Sequence, residues 1–225
     1  MRFFLDSAAL ADIEAWAEVG LVQGVTTNPA LLAQQAADPL LQLRKVADLV
    51  DGPVSAQVTK SDPTEMVRQG RALSDIAENI IVKVPSTAGG LVAARDLTER
   101  GVVCNITLNF HPAQTIPFVL SGVGYVSLIM GRIEDFGLEV SGRVEAIRQI
   151  IDVLDSPTEL LVASIRNPDQ LVEAVVCGAD VVTVPPGTWE KVFENALTSA
   201  GLIDFRSAWE TLPAEVRQEY EDLST

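Results

Sequence analysis

The sequence predicts an α/β protein, a single eightfold β/α (TIM) barrel with an extra C-terminal helix. Three observations point to it. Eight short runs rich in Val and Ile recur along the chain, largely apolar on both faces as buried parallel strands are. Helical patterns stand between them, and β/α alternation implies a parallel sheet with helical crossovers. The length, 225 residues, lies between one and two domains at roughly 150 residues each. Barrels of this kind typically need ~250 residues, so eight units here make a compact barrel with short loops. No linker or low-complexity segment interrupts the chain. It reads as one domain, 1–225, with 203–225 as a helical tail.

The strands are expected at Arg2–Leu5, Gly24–Asn28, Val54–Val58, Ile80–Val84, Val102–Leu108, Tyr125–Met130, Leu160–Ile165 and Asp180–Val184. The first helix is expected over Ala8–Val19, with Leu10, Ile13, Trp16 and Val19 as its apolar side. Thr64–Ile76, Leu91–Thr98, Val144–Leu154 and Leu171–Cys177 read the same way. Gly20, Gly101, Gly122 and Gly178 stand just before strands, where a helix C-cap turns the chain back. Asn28-Pro29, Asp62-Pro63 and Asn167-Pro168 look like N-caps followed by proline at the first helical position. Phe3, Phe4, Trp16 and Phe118 read as core or helix-packing aromatics. Ile203–Thr225 reads as an extra helix with Phe205, Trp209 and Leu212 on one side. It either packs on its own chain or docks on a neighbouring subunit.

Composition removes several function classes. Hydrophobic residues make up 48% and charged residues 21%, enough for a large core and against disorder. A net charge of -15 argues against nucleic acid and anionic membrane, which need a basic face. The start, Met1-Arg2-Phe3-Phe4-Leu5-Asp6, is too short in apolar residues for a secretory core of roughly seven or more. No apolar run approaches the ~18 residues of a membrane span. A cytoplasmic protein is expected. Two cysteines and one histidine make neither a disulfide framework nor a Cys/His zinc site, so no metal is expected.

In such barrels the catalytic groups sit at the C-terminal ends of strands, on the inward face, with period two. Polar residues gather there: Asp6, Thr26 and Asn28, Gln57, Lys83, Asn105 and Thr107, Ser127 with Arg132 beyond, and Ser164 with Arg166. Wet loops account for one or two of these but poorly for Lys83, one of only four lysines and the only one inside an apolar strand. Buried lysine needs a partner or a task, and burial lowers its pKa. At the ordinary pKa of about 10.4, lysine is roughly 0.04% neutral at pH 7. A shift to ~7–8 raises the nucleophilic fraction several-hundred-fold, as Schiff-base chemistry on a ketone requires. A structural pair with an acid such as Asp6 is the competing reading.

Ser164-Ile165-Arg166-Asn167-Pro168 offers a hydroxyl, a guanidinium and a helix start beside strand seven. Sugar-phosphate barrels often hold their phosphate there. Arg132 is placed to converge on the same anion, and the arginine fork donates two parallel hydrogen bonds. Two ordinary surface arginines are the alternative. Other chemistries lack their motifs. His111 is the only histidine, and His-Pro at a helix start is commonly structural. There is no Gly-x-Ser-x-Gly elbow, no Gly-x-x-x-x-Gly-Lys-Ser/Thr loop and no Gly-x-Gly-x-x-Gly.

Phe4-Leu5-Asp6-Ser7, Gly24-Val25-Thr26-Thr27-Asn28-Pro29, Val82-Lys83-Val84-Pro85, Asn105-Ile106-Thr107-Leu108, Gly131-Arg132 and Ala163-Ser164-Ile165-Arg166 together resemble the transaldolase family. The length resembles its short subgroup, which includes fructose 6-phosphate aldolases. The resemblance runs from Arg2 to about Trp209. It implies a class I aldolase barrel without metal or other cofactor, acting on sugar phosphates in carbohydrate metabolism. It matches Lys83 to the Schiff-base lysine and Asp6 to the acid/base carboxylate. Asn105 and Thr107 match residues that hold substrate hydroxyls and the catalytic water. Thr26 and Asn28 match residues lining the site. Arg132, Ser164 and Arg166 match the phosphate site. It also implies a homo-oligomer, since short members are often ring-like decamers with exchanged C-terminal helices.

Three positions depart. Gln57 stands where transaldolases usually carry a water-activating Glu and the fructose 6-phosphate aldolases carry Gln. Ile129 stands where the former have Phe and the latter Tyr, and Leu128 replaces a usual Pro. Glutamine cannot accept a proton as a carboxylate does. Three readings follow: transfer of a dihydroxyacetone unit, simple cleavage of a ketose phosphate, or sugar-phosphate binding without catalysis.

Overall fold

A computed structural model describes residues 1–35 and 38–224. Among these, eight parallel strands close into a barrel, each paired with its sequence neighbour and the last with the first. In chain order the elements are β1 (Arg2–Asp6), α1 (Leu10–Glu18), β2 (Val25–Thr26), α2 (Pro29–Gln35), α3 (Pro39–Leu49), β3 (Val54–Gln57), α4 (Pro63–Ser74), β4 (Ile80–Pro85) and α5 (Ala88–Glu99). They continue as β5 (Cys104–Asn109), a short 3-10 turn, α6 (Ile116–Val119), β6 (Tyr125–Ile129), α7 (Met130–Asp135), α8 (Arg143–Val153), β7 (Glu159–Ala163), α9 (Pro168–Val176), β8 (Val181–Val184), α10 (Pro186–Phe193), α11 (Ala196–Glu210) and α12 (Ala214–Glu221). The expected strands and barrel helices all form, with shifted ends; the tail expected as one helix over 203–225 is instead α11 and α12, because the helix breaks at 211–213, at Pro213.

Three strand ends change what the site contains. β2 keeps only Val25–Thr26, because Asn28 leaves the strand to cap α2: its Oδ1 accepts from the Ala30 and Leu31 amides, each at 3.0 Å. β6 stops at Ile129 and Met130 opens α7. β7 stops at Ala163, since Ser164 takes a left-handed φ of 63°. The spacing that put Ser164 and Arg166 on one strand row is therefore broken after Ser164.

The other caps follow the sequence signals. Asp62 accepts from the Glu65 amide at 3.1 Å and Asn167 from the Gln170 amide at 2.9 Å, each cap stabilising its helix by about 1 kcal/mol. Gly20, Gly101, Gly122 and Gly178 all carry positive φ, 69° to 90°, closing helices just before strands.

The barrel interior is layered. Phe4, Ile81, Tyr125, Leu161 and Val181 form an apolar plug, with Ala163 packed against it. Arg2 closes the plug from the N-terminal side, its guanidinium 5.5 Å from the Phe4 ring centre and paired with Glu159. Two residues further along the same strands stand Asp6, Lys83, Ser127, Ala163 and Thr183. The period-two alternation of a strand thus turns an apolar floor into a polar layer within one step. Outside the barrel, Phe3 and Trp16 pack on Trp189, with ring centres at 5.4 and 6.2 Å.

The chain divides into two compact units, Met1–Trp189 and Glu190–Thr225. The expected tail from Ile203 begins within α11, and Thr225 lies outside the described residues. In the second unit Asn195 caps α11 through the Leu197 and Thr198 amides. Trp209 and Tyr220 meet edge to face at 5.0 Å. Leu197, Leu202, Ile203 and Phe205 are exposed. Among the described residues, no helix is long and apolar enough to cross a membrane.

Candidate active site

The polar layer opens into a cavity of about 340 Å³ at the C-terminal mouth of the barrel. Asp6, Thr26, Asn28, Gln57, Lys83, Thr107, Arg132 and Ser164 line it. Eight of the ten site residues expected from the sequence therefore share one wall. Register explains part of this: Gln57 pairs with Lys83 and Lys83 with Asn105, so three strands place their polar residues at one height.

Asn105 and Arg166 stand outside the lining. Asn105 is fully buried, accepting from Ser127 Oγ at 2.6 Å and donating to Ser55 Oγ at 3.4 Å. It braces β5 against β6 and β3, and through Ser127 it supports the cavity wall. Arg166 follows the left-handed Ser164 and reaches α7, where its guanidinium pairs with Asp135 at 2.8 Å. Its Nε stays 3.4 Å from Ser164 Oγ. The loop after β7 is seated on α7 by the Gly131 amide, which donates to the Ser164 carbonyl at 3.0 Å. A Cβ on residue 131 would fall 2.2 Å from that carbonyl oxygen and 2.8 Å from Arg166 Cγ, so this approach requires glycine.

Lys83 is 8% exposed and donates from Nζ to the Thr27 carbonyl at 3.1 Å. Burial pushes its pKa below the ordinary lysine value, opposed by the negative charge of Asp6. Burial also pushes the Asp6 carboxyl above the ordinary range, opposed by Lys83 and by the hydrogen bond that Thr26 Oγ1 donates to Asp6 Oδ1 at 2.8 Å. The two desolvation effects act together: both favour moving a proton from the amine to the carboxyl. A neutral amine beside a neutral acid can add to a carbonyl and protonate the oxygen that leaves.

Several site residues were not singled out from the sequence. Pro29, Ala30, Leu108, Leu161 and Ala163 line the cavity and make part of its wall apolar. Leu108 holds φ 62° where the β5–β6 register shifts, a conformation that costs a non-glycine residue about 1–3 kcal/mol. Thr183, buried under Thr26, is the other omission; its position two residues after Val181 was the available signal. The residues set aside stay outside the site. His111 accepts from the Ala113 amide and caps the short 3-10 turn. Cys104 is buried, and desolvation pushes its thiol up to about 12.

Known proteins similar to this chain point the same way. The sequence model of the transaldolase/fructose-6-phosphate aldolase family matches residues 3–223. A probable transaldolase of Prosthecochloris aestuarii is 41% identical over 213 residues, covering 91% of this chain and 96% of that protein. One from Exiguobacterium sibiricum is 40% identical over 211 residues, covering 93% and 98%. One from Nitrosopumilus maritimus is 38% identical over 216 residues, covering 96% and 97%.

Proposed function

The chain belongs to the transaldolase/fructose-6-phosphate aldolase family of enzymes, and from that premise we propose that Lys83 is its Schiff-base nucleophile and Asp6 its acid/base group. One observation carries this assignment: a buried lysine within an apolar strand shares a cavity with a carboxyl, and burial favours the uncharged form of each.

The neutral Lys83 amine adds to the ketone carbon of a ketose phosphate. Asp6 gives a proton to the carbinolamine oxygen, which leaves as water, and an iminium forms. The Asp6 carboxylate then takes the proton of the C4 hydroxyl as the C3–C4 bond breaks. An aldose phosphate departs, and the bonding electrons remain on Lys83 as an enamine of dihydroxyacetone. That enamine attacks a second aldehyde, Asp6 returns its proton to the new hydroxyl, and hydrolysis of the re-formed iminium by water releases the product ketose and frees Lys83. The cavity supplies the supporting roles. Thr26 and Asn28 face the bound ketose, Asn105 supports the wall beneath it, and Thr107 and Gln57 position water. Arg132 and Ser164 hold the distant phosphate. Arg166 joins them by exchanging Asp135 for the anion, so that phosphate binding energy orients the reacting carbons.

Simple cleavage is the second reading, favoured by Gln57. An amide in the cavity wall orients water without accepting a proton. Protonation of the enamine followed by hydrolysis would then release free dihydroxyacetone. Mixing the enzyme with fructose 6-phosphate, with and without erythrose 4-phosphate, separates the outcomes. Glyceraldehyde 3-phosphate formed only with the acceptor indicates transfer, and formed without it indicates cleavage. Neither product, despite binding, would overturn both in favour of a sugar-phosphate binder. The proposal extends to a cytoplasmic enzyme of pentose phosphate metabolism, one barrel domain per chain. It works as a homo-oligomer with α11 at the interface, consistent with the exposed Leu202, Ile203 and Phe205.

A further inference from the structure

Strand β8 contributes no residue to the cavity lining, yet it places a hydroxyl directly behind the acid/base group. Thr183 Oγ1 lies 2.7 Å from Thr26 Oγ1, and Thr26 Oγ1 lies 2.8 Å from Asp6 Oδ1. Both threonines are 1% exposed, so neither hydroxyl has bulk water as an alternative partner. A hydroxyl carries one proton. While Asp6 is a carboxylate, Thr26 gives its proton to Asp6, and Thr183 is the buried hydroxyl placed to donate to Thr26 in turn. When Asp6 is protonated, both bonds can reverse, with Asp6 donating to Thr26 and Thr26 to Thr183. The three groups form a directional chain whose sense follows the charge on Asp6.

We propose that Thr183 is a positioning residue for the reaction: by donating to Thr26 it keeps the Thr26 proton on Asp6 and so favours the carboxylate form needed for carbon–carbon cleavage. Chains of hydrogen bonds strengthen one another, and more so away from water. Thr183 belongs to the inward row of β8, two residues after the plug residue Val181. Its backbone pairs with Phe4, two residues before Asp6 on β1. The site thus has a buried support on the side opposite Lys83's strand neighbours. Among the described residues, the charged groups that line the cavity with Asp6 are Lys83 on β4 and Arg132 on α7. β2 and β8 present Thr26 and Thr183, both uncharged. The role given to Thr183 rests on the proposed part of Asp6, and the test separates the two.

Thr183→Val removes the donor at nearly the same volume, and Thr183→Ser keeps it. The carboxyl carbon of Asp6 is titrated by 13C NMR in the full-length enzyme and both variants, with Asp6→Asn identifying the signal. Circular dichroism checks folding. In Thr183→Val the Asp6 titration should move upward by about half a pH unit or more, as when a charge-assisted hydrogen bond is weakened, and in Thr183→Ser it should return. The acidic limb of kcat should move with it, while KM for fructose 6-phosphate changes less than twofold. An unmoved Asp6 titration, or a serine variant that behaves like valine, overturns the proposal. A titration that moves while the kcat limb does not leaves the Thr183–Thr26–Asp6 chain in place. It removes Asp6 from the acid/base role instead.

Discussion

At the scale of single residues, the chemistry comes from two charges placed where charge is disfavoured. Lys83 and Asp6 each lose hydration, and each partly restores the other by Coulomb attraction. The sign of one consequence is fixed. The Asp6 anion raises the Lys83 pKa, so Asp6→Asn removes that support and lets the lysine pKa fall further below its ordinary value. The rise of imine formation with pH, measured in single turnovers, should move to lower pH in Asp6→Asn. Turnover should drop by about 10²–10⁴-fold, the usual worth of a general acid/base group. An unchanged or upward-moving limb would place Asp6 out of reach of Lys83. Lys83 itself was legible because a charged residue inside an apolar strand contradicts its surroundings. Thr183 was not, because threonine is at home in a strand and the sequence offers no contradiction to notice.

At the scale of elements, the strands were readable and several helices were not. Buried parallel strands are apolar on both faces, which marks them whatever the loops do. α3 buries Leu43 and Val46 but leaves Leu40 and Leu41 exposed, so its apolar residues surround the helix and the periodicity blurs. α7 was hidden because its first residue, Met130, reads as the end of the strand before it. The same difficulty misplaced Arg166: alternation carried past Ala163 assumes extended backbone, and the left-handed Ser164 ends it. The junction is sensitive to one atom. Gly131→Ala puts a methyl into the Ser164 carbonyl and the Arg166 side chain, at a cost of roughly 1–3 kcal/mol. It should raise KM for fructose 6-phosphate several-fold while leaving reductive trapping of unphosphorylated dihydroxyacetone on Lys83 intact. An unchanged KM would detach this junction from phosphate binding.

At the scale of the whole molecule, the barrel separates stability from chemistry along its axis. The N-terminal side is closed by Arg2, Glu159 and Tyr125 over the apolar plug, and the C-terminal side holds the cavity. The alternation made that division visible in the sequence, since polar residues gather at the C-terminal ends of several inward rows, as at Asp6, Thr26, Gln57 and Lys83. The proposed assembly has its own check. Phe205 is 74% exposed on α11, and Phe205→Asp should convert an oligomer to smaller species in light scattering without abolishing the Lys83 adduct. A wild-type chain that is monomeric at all concentrations would remove the interface.

The central claim is that the amine of residue 83 becomes covalently joined to the sugar. Borohydride reduction in the presence of fructose 6-phosphate, followed by peptide mass mapping, reads that bond directly. The expected result is a single reduced adduct on Lys83, absent from a Lys83→Met variant with an unchanged circular dichroism spectrum. No adduct, or one on Lys45, Lys60 or Lys191, would contradict it.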